Sequence, residues 1–260
     1  IQRMVDAALM VQDAGADIID INCGCPVPKV VKRGGGCELM RQSDHLEKIL
    51  KAVYKKVSIP LTLKIRSGWD ERNCNALEIA KMAEGSGVAM LAIHARTRKQ
   101  LYRGEADWNI VAEVADALSI PVVGSGDVVD YHSALERYAS GVAGLMIGRG
   151  ALSNPWIFSE IEAAANGEHY ERPSDVATID VLESYRDLLL EIYNDKATLG
   201  RLKQFASQVT RRVHRSQEVR RCLCTAKTLE EFSSELQRWR SYLSDSFPYN
   251  TTYDEAVVGL

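Results

Sequence analysis

Asn22-Cys23-Gly24-Cys25-Pro26 closes a short apolar run, and a basic loop (Lys29, Lys32, Arg33), a triple glycine (Gly34-Gly35-Gly36) and a further cysteine, Cys37, follow it. A thiol in a Gly-Cys-Pro turn at a strand end can do chemistry or can simply pack as a structural cysteine. Cys23, Cys25 and Cys37 could together supply three thiolates. However, C-x-C with one distant cysteine is not a zinc spacing, and the other ligand pair is missing, so no metal is expected. The glycines allow backbone to approach a ligand closely. Lys64 emerges from the apolar run Leu61-Thr62-Leu63, which favours a cation held at a strand end over a surface lysine. His94 follows Leu91-Ala92-Ile93 and, taken alone, reads as a satisfied core histidine. Gly124-Ser125-Gly126-Asp127 and Gly148-Arg149-Gly150 close two later runs. Glycine-rich strand ends ahead of a helix can cradle phosphate, and Arg149 adds a charge-assisted partner.

These residues need elements that bring them to one place. Apolar, β-branched runs at 17–22, 60–66, 90–95, 121–124 and 144–148 alternate with amphipathic stretches, such as 44–57 with Leu46, Ile49, Leu50 and Val53 at helical spacing. Ile59-Pro60 and Ile120-Pro121 each end a helix and open a strand. Gly15 and Gly87 stand where helix C-caps belong. Every residue with chemical potential falls at the C-terminal end of a strand, the rim on which (β/α)8 barrels build their sites. An open doubly wound sheet would concentrate its site at one switch point. The expected fold is therefore α/β, a TIM-type barrel. Only five strands are found where eight are needed, so the barrel is expected to be N-terminally truncated, lacking about three leading β–α units. Turn signals at Asn166-Gly167 and Arg172-Pro173-Ser174 predict a boundary. The expected organisation is a partial barrel over 1–165, a small all-helical domain over 175–243 with helices at 181–193, 199–213 and 229–243, and a loosely structured 244–260.

The net charge of −3 conceals an asymmetry. From Lys196 to Lys227 nine basic residues stand against one acid, Glu218, a local charge of +8 that leaves the remainder at −11. A basic block on an acidic body suits either a polyanion contact or a solvated helix face. No signal peptide and no membrane-spanning run is seen, and six cysteines without a disulfide context fit a reducing cytoplasm.

Ile19-Asp20-Ile21-Asn22-x-Gly24-Cys25-Pro26 with its basic loop and Gly34-Gly35-Gly36 resembles the signature of the tRNA-dihydrouridine synthase family. Later segments keep the family's order. Lys64-Ile65-Arg66 resembles V-K-x-R, and His94-Ala95-Arg96-Thr97-Arg98 resembles H-G-R-T-R. Tyr102 to Trp108 resembles Y-x-G-x-A-D-W, Gly124 to Asp127 resembles N-G-D, and Met146-Ile147-Gly148-Arg149-Gly150-Ala151 with Asn154 to Phe158 resembles M-I-G-R-G-A…N-P-W-I-F. The resemblance is strong over about 1–165 and weak beyond. It implies an FMN enzyme that reduces the uridine C5–C6 double bond in tRNA with NADPH, and it implies that Cys25 gives the proton. A proton-donating thiol must stay protonated at rest. The resemblance further implies flavin contacts from Lys64, His94, Ser125, Gly126, Asp127, Gly148 and Arg149. Substrate contacts are expected from Asn22, Lys29, Arg33, Arg66 and Arg96 and, on the basic helices, from Arg211 and Arg212. One phosphate fits these loops better than a dinucleotide, since no G-x-G-x-x-G follows a first strand. The sequence departs from the family at Ser125, where Asn is usual, and at Ala95, where Gly is usual. Two other readings stay open. One is another FMN barrel acting on a free pyrimidine, of the dihydroorotate or dihydropyrimidine dehydrogenase kind. The other is a truncated RNA-binding remnant without activity.

Overall fold

The computed structural model describes residues 1–246 of the chain, which divides into two compact units, Ile1–Gly148 and Arg149–Leu260. In chain order the first unit comprises α1 (Gln2–Asp13), β1 (Ile19–Asn22), α2 (Pro28–Val31), a 3-10 turn (Gly36–Arg41), α3 (Ser43–Tyr54) and β2 (Leu61–Arg66). There follow α4 (Ala76–Gly85), β3 (Met90–His94), α5 (Trp108–Ala117), β4 (Val122–Ser125), α6 (Tyr131–Tyr138) and β5 (Gly144–Met146).

The strands form one parallel sheet whose spatial order, β1-β2-β3-β4-β5, is the order of the chain. A doubly wound sheet reverses direction at a switch point, whereas unbroken sequential order is what a barrel requires. Among the described residues five strands of an eight-stranded ring are present. The central strands are covered on both faces. Leu61, Leu63, Ile65, Leu91 and Ile93 are all buried, and the four apolar positions of α3 anticipated from its spacing pack inward. At the margin, β5 is only half-covered. Parallel register then aligns the strand ends. Asn22 lies opposite Lys64, Arg66 opposite His94, and His94 opposite Ser125.

The second unit is all-helical: α7 (Arg149–Ser153), α8 (Ile157–Asn166), α9 (Asp175–Leu190), α10 (Asp195–Val209), a 3-10 turn (Thr210–Arg212), α11 (Ser216–Thr225) and α12 (Leu229–Ser246). Ile179, Leu182, Leu202, Ala206, Leu223, Phe232 and Leu236 form its core. The division falls earlier than the turn signals near 166–174 suggest, because α7 packs on α10 and α8 on α7. Those signals instead mark the α8–α9 linker inside the helical unit. The sequence pattern does not predict α11. Its apolar positions Val219 and Leu223 make only a minimal stripe, and Arg215 breaks the chain ahead of it at φ +54. The expectation for 244–260 falls largely outside the described residues, although α12 runs on to Ser246. Among the described residues no helix is long and apolar enough to cross a membrane.

Candidate active site

The turn that carries Cys25 is fastened at four points. The Cys23 N–H donates to the Lys64 carbonyl (2.7 Å), which extends the β1–β2 ladder by one step. The Asn22 side-chain oxygen accepts from the Gly24 N–H (2.9 Å), an Asx-type turn that bends the chain. Arg66 Nε donates to the Gly24 carbonyl (3.0 Å), and the Cys37 N–H donates to the Cys25 carbonyl (3.1 Å). The last contact explains one glycine of the triplet. Gly36 has φ +57, and a Cβ there would lie 2.4 Å from the Cys25 carbonyl oxygen. The result is a half-buried thiol at the sheet's C-terminal rim, with exposed Lys29, Lys32 and Arg33 on the same loop.

The neighbouring groups are electrostatically distinct. Cys23 and Cys37 are 0% and 1% exposed. Burial, with help from Cys37, pushes the Cys23 thiol up to about 12. Burial likewise raises Cys37 to about 11, against the pull of the Arg66 guanidinium. Both therefore stay protonated near neutrality. Among the described residues no group of three or more His, Cys, Asp or Glu could hold a metal ion. Lys64 lies half-buried between the buried Leu63 and Ile65. Its pKa is lowered by burial first and by Arg66 second, with Asp20 and Cys37 acting in the other direction. An anion bound beside it would relieve that cost.

Two arginines expected to meet the substrate tie loops of the rim together. Arg66, 3% exposed, spends Nε on Gly24 and Nη1 on the carbonyls of Thr97 and Leu101 (both 2.9 Å), tying the Cys25 turn to the loop after β3. Its Nη2 alone has no partner among the described residues. Arg96 is 2% exposed. Its Nη2 binds the Gly104 carbonyl (2.6 Å) and both oxygens of Asp127 (2.8 and 2.6 Å). Asp127, expected at the cofactor, is engaged by Arg96 and by the Ala106 N–H (2.8 Å). One buried nitrogen of this cluster, Arg96 Nη1, has no hydrogen-bond partner among the described residues. His94 lies beside the Tyr102 ring, with centroids 6.2 Å apart, and the Arg66 guanidinium sits 5.8 Å from that same ring. Tyr102 was not assigned a role from the sequence, although it opens a recognisable segment. Ser125 and Gly126 follow at the end of β4. Gly148 is exposed with open space where a Cβ would stand, whereas Arg149 opens the second unit.

A family model described as Dihydrouridine synthase (Dus) matches residues 1–245. The chain belongs to the dihydrouridine synthase family. A probable tRNA-dihydrouridine synthase of Rhodobacter capsulatus is 46% identical over 192 residues, 73% of this chain and 59% of the relative. A tRNA-dihydrouridine synthase B of Pseudomonas putida is 44% identical over 193 residues, 73% of this chain and 55% of the relative. The chain thus spans somewhat under two thirds of the length of the curated relatives it matches. Solved structures are more distant. A morphinone reductase variant shares 16% identity at a TM-score of 0.45, covering 63% of this chain and 48% of that one, too loose a likeness to argue from.

Seen as a dihydrouridine synthase chain, the first unit brings Asn22, Lys64, Arg66, His94 and Ser125 to one rim through strand register, and the bonded turn after β1 adds Cys25. Arg211 and Arg212 are exposed on the 3-10 turn of the second unit.

Proposed function

We propose that this protein reduces the C5–C6 double bond of a uridine in tRNA, with FMN as its redox group, NADPH as the electron source and Cys25 as the proton donor. The observation that carries the reading is the four-point anchorage of the Cys25 turn at the rim, beside Lys64 and Arg66. The residues present fit a planar anionic group. Lys64 is a half-buried cation whose charge is penalised until an anion joins it, and Arg96 Nη1 is a buried donor without a partner. Lys64, His94, Ser125, Gly126 and Gly148 would hold the flavin, which when bound supplies the hydride for one carbon of the double bond. Cys25 gives a proton to the other carbon and, being half-buried, can be reprotonated from solvent. Cys23 and Cys37 keep their protons and pack. Asn22 and Arg66 fix the turn so that the thiol presents one orientation. The target base must leave its stack to reach this rim. Exposed Lys29, Lys32 and Arg33 next to the thiol favour a polyanionic substrate over a free pyrimidine.

The test is dihydrouridine mapping in tRNA incubated with wild-type or Cys25→Ala protein, with FMN and NADPH supplied. Wild-type protein should form dihydrouridine, and the variant should be slower by about 100-fold or more. Equal rates would remove Cys25 from the chemistry. Reduction of free pyrimidine but not of tRNA would assign the protein to small-molecule reductases.

A further inference from the structure

Beside the thiol loop lies an open cleft of about 640 Å3 between the 3-10 turn Gly36–Arg41 and the β2–α4 loop, with Arg41, Trp69, Arg72, Cys74 and Asn75 in its walls. The loop is pinned along its length. The Trp69 N–H donates to the Asn73 carbonyl (2.9 Å), while the Arg98 and Lys99 N–H groups donate to the carbonyls of Gly68 (2.9 Å) and Trp69 (3.0 Å). Asn75 reaches across to the Met40 carbonyl (2.8 Å), joining the two walls. Two guanidinium groups lie against the Trp69 ring, Arg41 at 4.5 Å and Arg98 at 4.7 Å from its centroid.

Two of the acids nearby are engaged, while partial desolvation raises the Cys74 thiol and Asp107 and Glu71 lie close enough to raise it further. Glu38 pairs with Arg41, and Asp70 pairs with Lys99. The exposed Arg72 side chain carries no ion pair or hydrogen bond among the described residues, and the buried Arg98 Nε has no partner. A rigid aromatic surface bearing guanidinium planes, next to an unengaged cation, matches a ligand that is both planar and anionic.

The cleft's position limits what that ligand is. Arg41 ends the same turn whose start, Gly36-Cys37, is bonded to Cys25, and Trp69 follows by three residues the Arg66 that holds Gly24. The cleft is therefore one loop out from the thiol. A strand that delivers a uridine to Cys25 and leaves on this side would bring one base and one phosphodiester to the cleft. The volume lies within the range of about 300–1,000 Å3 usual for small-ligand sites, enough for one nucleotide.

We infer that this cleft binds a nucleotide flanking the target uridine, with Arg72 on its phosphodiester and the Trp69–arginine stack against its base. The inference rests on the tRNA reading above.

Cys74, an exposed free thiol in the cleft wall, reports occupancy directly. The rate of its alkylation in the full chain is followed by peptide mass spectrometry with no ligand, with saturating tRNA and with NADPH. Saturating tRNA should slow the reaction by about tenfold or more, and NADPH should not. Trp69→Ala and Arg72→Glu should each weaken tRNA binding by about tenfold, and Arg72→Glu should reduce the salt slope by about one. A melting curve checks that Trp69→Ala folds, and the exposed Arg72 variant carries the test if it does not. Undiminished alkylation of Cys74 in a tRNA complex that forms dihydrouridine would overturn the cleft and leave the tRNA reading standing. Protection by NADPH in place of tRNA would overturn it as well. A wild-type protein that neither binds nor modifies tRNA would remove both.

Discussion

Around Cys25 the neighbouring thiols differ from it in accessibility, and the difference is measurable. Cys23 and Cys37 are sealed in the core, with pKa values raised to about 12 and about 11, chiefly by burial. At pH 8 the thiolate fraction of Cys37 is on the order of one in a thousand, and thiolate is the reactive form. In the native protein an alkylating reagent at pH 8 should therefore modify the exposed Cys74 well before Cys37 or Cys23, as peptide mass spectrometry would show. Early modification of Cys37 would mean that its loop opens. The same shifts link to stability. A thiol whose folded pKa lies above the ordinary value stabilises the fold below that value, and the contribution is lost as pH rises through the folded pKa. Stability of the first unit should accordingly decline from the ordinary thiol range, near pH 9, toward 11 and 12. Cys37→Ala should blunt that decline in melting curves taken across this window.

At the scale of elements, the rim is held by arginines that cross between loops. Removing the Asp127 carboxylate would leave the Arg96 guanidinium buried, with its Nη1 already unpartnered. Asp127 is itself partly exposed, so the full cost of breaking a buried pair is reduced by solvent. Asp127→Ala should destabilise the first unit by about 2–3 kcal/mol, read from its denaturant midpoint. A loss below about 0.5 kcal/mol, the usual effect of surface substitutions, would show that the pair is incidental. This cluster also marks where sequence stops being legible. The strands, their ends and the gathering of Cys25, Lys64 and His94 follow from local pattern, because β-branched runs bounded by prolines and glycines define both the element and its rim. The destinations of Arg66 and Arg96 do not. Each is a long side chain at a strand end, and its acceptors, Thr97 and Leu101 or Gly104 and Asp127, belong to loops distant in sequence or folded back on themselves. By composition, such an arginine looks the same whether it meets an RNA phosphate or its own backbone. The Trp69 cleft was equally hidden, since the contact of Arg41 with that ring depends on two loops brought together only by the sheet.

For the whole molecule, charge separates the two units in the chain, with the +8 block of 196–227 confined to the helical one. A solvated helix face and a phosphate grip would both expose these side chains, so exposure does not decide between them. Salt dependence does. Each phosphate contact releases condensed counterions, and the slope of log affinity against log salt counts them. Arg211 and Arg212 suit this count because they stand exposed on a 3-10 turn of the helical unit. The turn is held through its backbone, where the Arg172 guanidinium donates to the Arg212 carbonyl (2.8 Å) and the His214 N–H donates to Asp175 (2.7 Å). The Arg211→Glu, Arg212→Glu double variant should bind tRNA at least about tenfold more weakly at low salt, with the slope reduced by about two. If affinity falls but the slope does not, the loss comes from altered packing. If neither changes, the block is a solvated face, and the tRNA grip rests with the first unit's exposed Lys29, Lys32 and Arg33.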